Sequence, residues 1–144
     1  KLEELQKRVI RSKVESIETK CVMNLEVIKS IKANADGLLI DAPCSGIGVL
    51  KRKPDTKWLM NPDRINKILT TQENILRTYS SFVKKGGELV YATCSILPVE
   101  NRDQIDNFLN SEKGLSFEFD QDKTYLSHKT GFDGFYCARL IRKM

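Results

Sequence analysis

The sequence predicts an α/β fold built on a mostly parallel sheet with an antiparallel terminal strand. Short apolar runs bounded by turn residues alternate with longer stretches of helical periodicity along the 144-residue chain. The two clearest apolar runs, residues 37–40 and 88–92, each lead into a turn that contains a cysteine. Parallel strands joined by right-handed crossovers place such turns at one edge of a sheet, where α/β proteins bind their ligands.

The N-terminal part predicts a helix followed by a strand. Residues 1–12 carry leucine, valine and isoleucine at helical spacing with charges between them, which indicates an amphipathic helix. Residues 15–22 contain β-branched residues in partial alternation and predict a strand, whereas residues 25–31 are ambiguous and fit a short helix. The chain begins in mid-pattern, without a helix cap or an initiator Met, so we expect it to be a truncated piece of a larger protein.

The central part predicts two buried strands with a helix between them. The first strand ends at Asp41, and residues 47–58 form a loop broken by glycine and proline. A helix opens at residues 61–63 and continues to residue 83. The lysines and glycines of residues 84–87 are predicted to end this helix, ahead of the strand at residues 88–92.

The C-terminal part predicts one helix and two strands. Residues 98–109 fit a helix, and the alternation in residues 115–119 predicts a strand. A polar loop at 124–130 and a glycine-rich turn lead to a final strand at residues 135–141. These last two strands are predicted to pair antiparallel.

Composition restricts the function classes. A chain that is 40% hydrophobic and 30% charged suits one globular domain without a membrane span or signal peptide. A net charge of +5 suits a nucleic-acid partner, although lysine-rich proteins reach this value without one. Four cysteines without a C-x-x-C pair, and a single histidine, argue against a structural metal or a disulfide framework. We therefore expect reduced thiols and a cytoplasmic protein.

Asp41, Cys44 and Cys94 form the candidate active site. The two cysteines occupy matching turns after neighbouring parallel strands, and strands lie about 4.8 Å apart, so both thiols can face one pocket. A thiolate becomes a strong nucleophile when positive charge or a helix N-terminus lowers its pKa. Cys44 precedes a loop rich in lysine and arginine, and Cys94 precedes the helix at 98. The alternative is that both are buried, inert hydrophobic residues.

The remaining candidates are less specific. Cys21 and Cys137 lie within predicted strands and indicate core positions, and His128 indicates a solvated surface position. The basic run Lys51, Arg52 and Lys53, followed by Trp58, has two interpretations that the sequence leaves open. It is a solvated charged run, or it holds an RNA phosphate backbone with Trp58 as a packing or stacking surface.

Three motifs resemble one enzyme family. Residues 41–46 read Asp-Ala-Pro-Cys-Ser-Gly, residues 91–95 read Tyr-Ala-Thr-Cys-Ser with Glu100-Asn101 beyond, and residues 131–138 read Gly-Phe-Asp-Gly-Phe-Tyr-Cys-Ala. In this order they resemble the RNA cytosine-C5 methyltransferases of the Sun (RsmB-like) family over nearly the whole chain. The resemblance implies a Rossmann-like, S-adenosylmethionine-dependent methyltransferase fold that is truncated at the N-terminus. It also implies RNA as substrate, with rRNA favoured over tRNA.

The resemblance assigns a role to each site residue. Cys94 matches the nucleophile that adds to carbon 6 of cytosine, so that carbon 5 can accept the methyl group. Cys44 matches the second cysteine, which helps to release the covalent product. Asp41 matches the aspartate between cofactor and base, and Pro43 lies with it on the cofactor side. To reach such a pocket, the cytosine would have to be flipped out of a helix or unpaired.

This chain departs from the family pattern at the cofactor site. The family's glycine-rich loop and its first two strands are absent, so residues 1–144 correspond to the C-terminal portion of a single catalytic domain. We expect the chain alone to bind S-adenosylmethionine weakly or not at all and to be inactive. The strand predicted at 15–22 would lack its usual neighbours and would pair abnormally or with another chain.

Two other functions remain open at this stage. One is a non-catalytic RNA-binding module that keeps the methyltransferase fold but has lost the cofactor loop. The other is a thiol redox protein, which the absence of C-x-x-C spacing disfavours.

Overall fold

The N-terminal unit contains the predicted helix but not the predicted strand. The computed structural model describes residues 2–21, 30 and 33–144, which fall into two compact units, Lys1–Lys32 and Ala33–Met144. Helix α1, Leu2–Arg11, confirms the first prediction, with glutamates in its first turn and arginines in its last. Residues 15–21 form no strand, so that prediction is wrong for them. They are mostly exposed, and no strand among the described residues pairs with them, as a strand requires. Residue 22, and residues 25–29 and 31 of the ambiguous segment, lie outside the described residues.

The second unit is an open mixed sheet. Its strands are β1, Ala35–Asp41, β2, Val83–Thr93, β3, Phe117–Tyr125, and β4, Phe135–Arg142. The sheet order is β1-β2-β4-β3, with β1 and β2 parallel and β4 antiparallel to both of its neighbours. The strands β1, β2 and β3 therefore point the same way, and the predicted α/β class and antiparallel last strand are confirmed.

One buried cluster joins the sheet to two helices, α2, Pro62–Tyr79, and α3, Arg102–Leu109. Its fully buried members come from both helices and from the central strands: Leu76, Ile105, Leu89, Tyr91 and Leu140. Leu89 lies opposite Leu140 across the β2–β4 pair, so the two strands present their apolar side chains to the same helical layer. Burial of this kind contributes about 1.5–3 kcal/mol for each large side chain.

Helix α2 begins as predicted and ends earlier. The Asn61 side chain caps it by accepting a hydrogen bond from the Arg64 amide at 2.9 Å. The helix stops at Tyr79, and β2 already begins at Val83, so the prediction that residues 84–87 end the helix is wrong. Those residues form an irregular part of β2, where Gly86 has a φ of +74°, and a Cβ on Gly87 would lie 2.8 Å from the Asp36 carbonyl.

Strand β1 is less buried than the sequence predicts. It lies at an edge of the sheet, with β2 as its only neighbour among the described strands. Ile40 and the half-buried Leu38 face the core, whereas Leu39 points the other way and is 69% exposed. An apolar run predicts burial on both faces, and at this edge only one face is covered.

The C-terminal strands are longer than predicted. β3 continues to Tyr125, which pairs with Phe135 at the start of β4, and the antiparallel pairing is confirmed. Its second half is polar because it forms an exposed edge, where apolar alternation is not required. A short helix α4, Ser127–Thr130, replaces most of the predicted polar loop. No helix in the described part of the chain combines the length and apolarity needed to cross a bilayer.

Candidate active site

The two cysteine turns meet at the carboxyl ends of β1 and β2. Asp41 pairs with Ala92 in the parallel register, and the Ala42 amide continues the ladder by donating to the Ala92 carbonyl at 2.9 Å. Two residues further along each strand, the Sγ atoms of Cys44 and Cys94 lie 3.2 Å apart. Both cysteines are half-buried and free of disulfides. Matched positions on neighbouring parallel strands therefore bring two thiols within hydrogen-bonding distance.

The surroundings of Cys44 favour its protonated thiol. Partial burial and the hydrogen bond with Cys94 raise the pKa of Cys44 to about 12. The cationic loop that follows Cys44 does not lower this pKa, so that expectation from the sequence is wrong for Cys44. Its lysines and arginine are exposed to solvent, which screens their charge. Cys44 consequently stays a neutral thiol at neutral pH.

A buried carboxylate connects the two cysteine turns. Glu100 is fully buried and accepts hydrogen bonds from the Ser45 amide at 2.7 Å, the Ser45 hydroxyl at 2.5 Å and the Ser95 hydroxyl. The Nε2 atom of Gln72 lies 3.4 Å from Oε1 of Glu100 and donates to the Pro43 carbonyl at 2.9 Å. Each cysteine is thus followed by a serine that binds the same carboxylate.

Asn101 and Tyr91 add three hydrogen bonds around the Cys94 turn. The Thr93 hydroxyl donates to Oδ1 of Asn101 at 2.6 Å, and Nδ2 of Asn101 donates to the Ser95 carbonyl at 3.0 Å. The Tyr91 hydroxyl donates to the Glu100 carbonyl at 2.9 Å. Burial, followed by the charge of Glu100, raises the pKa of Tyr91 well above its usual value. Tyr91 therefore acts only as a neutral donor.

A third loop closes against the pair. The Gly48 amide donates to the Cys94 carbonyl at 3.0 Å, and the Gly134 amide donates to the Gly48 carbonyl at 2.7 Å. A Cβ on Gly48 would lie 2.2 Å from the Gly134 carbonyl oxygen, so no other residue fits there without backbone movement. Arg52 and Asp133 form an ion pair at 2.5 Å between the same two loops. The motif at 131–138 is thereby packed against the turns of both cysteines.

The remaining predicted site residues lie at the surface. Asp41 and Pro43 are exposed at the end of β1. Lys51 and Lys53 are exposed, whereas Arg52 is engaged with Asp133. Trp58 is 78% exposed with Lys57 stacked 4.7 Å from the centre of its ring, so its ring does not pack into the core.

The other two cysteines and the histidine have the following positions. Cys21 is exposed and lies in no strand, so its predicted core position is wrong. Cys137 is in β4 as predicted, but it is half-buried and lines an open cleft of about 330 Å³ together with Lys123 and Arg139. His128 is exposed, as predicted. Within the described residues, no cluster of three His, Cys, Asp or Glu could hold a metal ion.

The sequence interpretation gave Glu100 only as part of the family motif, without a role in the site, and missed Gln72 altogether. Glu100 lies in the first turn after a proline, where acidic residues are common on exposed helix ends. The signal that could have revealed it is the repeated Cys-Ser pair, at 44–45 and 94–95, which places two hydroxyl donors in matching turns. Gln72 gives no such signal, because polar residues are expected on a surface helix.

Known proteins resemble this chain in sequence and in fold. The sequence model of the 16S rRNA methyltransferase RsmB/F family matches residues 1–141. Ribosomal RNA small subunit methyltransferase B of Photorhabdus laumondii is 43% identical over 113 residues, which cover 75% of this chain and 26% of that protein. The protein of the same name from Salmonella paratyphi A is 45% identical over 113 residues, with the same coverage. The chain thus spans about a quarter of the length of these relatives.

Solved structures share the fold. The crystal structure of PH0851 superposes with a TM-score of 0.84 at 28% identity, covering 96% of this chain and 34% of that one. NSun6 from Pyrococcus horikoshii, solved with SFG, superposes with a TM-score of 0.83 at 20% identity, covering 99% of this chain and 39% of that one. These structures support the Rossmann-like methyltransferase fold.

Proposed function

The chain belongs to the RsmB/F family of 16S rRNA methyltransferases, and we propose that it carries the part of a cytosine-C5 methyltransferase active site that contacts the cytosine base. The intact enzyme would methylate carbon 5 of a cytosine in RNA, with rRNA favoured because the relatives act on ribosomal RNA by name. The observation that carries the proposal is the 3.2 Å approach of the Cys44 and Cys94 thiols at the ends of parallel strands. A cytoplasmic location follows from this function.

Cys94 is the nucleophile of the proposed reaction. Its thiolate adds to carbon 6 of the cytosine, and the electron pair of the 5,6 double bond becomes available at carbon 5. S-adenosylmethionine supplies an electrophilic methyl group there when it is bound. The carbon 5 proton then passes to water, its electron pair re-forms the 5,6 double bond and Cys94 leaves as a thiolate. The turnover replaces one hydrogen of cytosine by methyl and releases one proton and the demethylated thioether.

Cys44 assists the departure of Cys94. Its raised pKa keeps it protonated, so the S–H group can donate a hydrogen bond to the neighbouring sulfur as negative charge returns to Cys94. A thiol in this position stabilises the leaving thiolate and favours product release. We assign Asp41, which is exposed at the end of β1, to binding the cytosine edge.

The residues present fit one side of an S-adenosylmethionine site. Asp41 and Pro43 are exposed at the carboxyl end of the edge strand β1, which leaves room for a cofactor beside them. We place the chain in the C-terminal portion of the catalytic domain and the rest of the cofactor site in sequence outside it. The chain alone should then bind S-adenosylmethionine weakly or not at all in calorimetry, and tight stoichiometric binding would contradict this assignment.

RNA contacts are assigned to the loop after Cys44. Lys51 and Lys53 are exposed and carry charge for phosphates, and the exposed ring of Trp58 offers a surface for base stacking. Arg52 lies in the same loop and is also assigned to RNA binding. Its ion pair with Asp133 holds the loop in position. If the alternative function of a non-catalytic RNA-binding module were correct, this loop would bind RNA in an intact protein that transfers no methyl group.

The decisive experiment compares three cysteine variants of the intact enzyme in cells that lack the wild-type gene. Mass spectrometry of cellular RNA should show one 5-methylcytosine lost with Cys94→Ala and retained with the control Cys21→Ala, since Cys21 is exposed and has no role in the proposed reaction. Cys44→Ala should accumulate a covalent RNA–protein adduct. Normal turnover by Cys94→Ala would refute the assignment of the nucleophile.

A further inference from the structure

We propose that Glu100 is a positioning residue whose buried carboxylate clamps the Cys44 turn onto the Cys94 turn and thereby sets the distance between the two thiols. Its catalytic consequence rests on the proposed function, but the geometric claim can be tested without it. Glu100 touches neither thiol. It acts through the serine that follows each cysteine.

The contacts of Glu100 span both turns. Three donors come from the turns: the amide and hydroxyl of Ser45 on the Cys44 side, and the hydroxyl of Ser95 on the Cys94 side. A fourth, the amide of Gln72 on helix α2, also binds the Pro43 carbonyl and ties the start of the Cys44 turn to the helical layer. Four donors on one fully buried carboxylate satisfy its oxygens, which offsets the cost of burying the charge.

The clamp acts where the backbone ladder has ended. The last ladder contact between the strands is the bond from the Ala42 amide to the Ala92 carbonyl. Beyond it, the Gly48 amide reaches the Cys94 carbonyl, and the thiols lie between these two points. Side-chain bonds to Glu100 therefore hold the Cys44 turn over the stretch that carries the chemistry. Loss of those bonds leaves buried donors unpaired and frees the edge turn to move.

Three substitutions separate the clamp from a general structural role. Glu100→Asp keeps the charge but shortens the side chain by one methylene, about 1.5 Å, so it cannot reach both turns. Glu100→Gln keeps the length, and the serine hydroxyls can rotate to accept from its amide, so it should rescue the clamp. Gln104→Ala is the matched control: Gln104 is buried on α3 and donates to the Leu69 carbonyl on α2, and no hydrogen bond among the described residues joins its side chain to either cysteine turn.

The thiol separation can be read directly by oxidation of the intact enzyme with diamide. The two thiols lose two hydrogens to the azo group of diamide, which becomes a hydrazine, and a disulfide forms only if the sulfurs can approach bonding geometry. Peptide mapping by mass spectrometry measures the rate at which the Cys44–Cys94 disulfide appears. We expect this rate to fall about fivefold or more in Glu100→Asp and to match the wild type in Glu100→Gln and Gln104→Ala.

Methyl transfer gives a second readout. Misplacement of a reacting group by about 1 Å costs about 100-fold in rate, so kcat of Glu100→Asp should fall by about that factor while KM for RNA and for S-adenosylmethionine changes little. An unchanged disulfide rate in a folded Glu100→Asp enzyme would overturn the proposal. A changed disulfide rate in an enzyme without methyltransferase activity would leave the clamp standing and reject only the proposed function.

If Glu100→Asp does not fold, a milder variant tests the same proposal. The double substitution of Ser45→Ala and Ser95→Ala removes both hydroxyl donors but leaves the carboxylate, the Ser45 amide and Gln72 in place. We expect a slower Cys44–Cys94 disulfide in this variant. A rate equal to that of the wild type would contradict the clamp.

Discussion

The Cys44 and Cys94 turns end neighbouring parallel strands, but they are held in different ways. The Cys94 turn follows β2, which has a strand on each side, and Thr93 and Ser95 within it are fully buried. Asn101 braces this turn from inside. The Cys44 turn follows the edge strand β1, and it is held by the Ser45 amide, which donates to Glu100, and by Gln72, which donates to the Pro43 carbonyl.

This difference assigns separate mechanical roles to the two turns. The central strand supplies a fixed frame for the proposed nucleophile, because both of its edges are paired. The edge strand supplies the second thiol, and its turn is positioned by side chains and by the close contact at Gly48. Removing a contact of the edge turn should therefore disturb the cysteine pair without dismantling the sheet, whereas damage to β2 should destabilise the whole unit.

The largest expected effect comes from Gly48→Ala, which would force the edge turn away from the central turn. A Cβ at this position would meet the Gly134 carbonyl oxygen at 2.2 Å and the Cys94 carbonyl oxygen at 2.7 Å. Because both obstacles are backbone atoms, relief requires backbone movement, and we expect a loss of about 3 kcal/mol or more in the free energy of unfolding. Urea denaturation followed by circular dichroism measures this loss.

Gly37→Ala is the control for that substitution. Gly37 lies on the same edge strand, and a Cβ there would meet nothing within 4 Å. The change should alter the free energy of unfolding by less than about 1 kcal/mol. Equal losses for the two glycines would show that the packing at Gly48 does not hold the turns together.

The second-largest expected effect is the loss of stability when a buried leucine of β2 is truncated, compared with an exposed leucine of β1. Leu89 on β2 is fully buried and Leu39 on β1 is 69% exposed, although both residues belong to the two apolar runs that predicted the sheet. Leu89→Ala should cost about 3 kcal/mol in the free energy of unfolding, and Leu39→Ala no more than about 0.5 kcal/mol. Thermal and urea unfolding of this chain would measure both. Similar costs would mean that the outer face of β1 is covered.

The sequence predicted most of the strand and helix order because periodicity reports which face of an element is buried. It also predicted that Cys44 and Cys94 would be neighbours, since parallel register follows from the α/β pattern. Periodicity did not reveal that β1 is an edge strand, because an apolar run is identical in sequence whether one face or both are covered. It also missed the early end of α2, where the pairing of Val83 with Ala35 overrides the preference of lysine and glycine for helix ends.

The sequence does not show which distant residues bind the turns of the polar network. Glu100 reaches Ser45 across 55 residues, and Gln72 reaches Pro43 across 29. Such contacts depend on the tertiary positions of three elements, and a glutamate or glutamine has no local pattern that marks it as buried. The raised pKa of Cys44 has the same origin: the thiol's burial and its bond to Cys94 outweigh the nearby cations, which remain in solvent.

The smallest expected effect is a pH dependence of stability that belongs to the edge turn. The pKa of Cys44 rises from 9.0 to about 12 on folding, first through burial and then through Cys94. The folded state holds this proton more tightly than the unfolded state does. The stabilisation is therefore complete below pH 9 and is lost as the pH rises from 9 towards 12. Since the thiol is only half-buried, solvent reduces the size of this contribution.

A Cys44→Ser variant separates the contribution of Cys44 to the pH dependence of stability from the contribution of the tyrosines. The pKa values of Tyr91 and Tyr136 are also raised by burial, so they too make stability fall with pH in the alkaline range. Both tyrosines remain in the variant, which removes the contribution of Cys44 together with the smaller effect of its charge on the pKa of Tyr91. Urea unfolding on either side of pH 9 should give a shallower loss of stability in Cys44→Ser than in the wild type. Identical slopes would mean that the edge turn exposes its thiol to solvent as freely as the unfolded chain does.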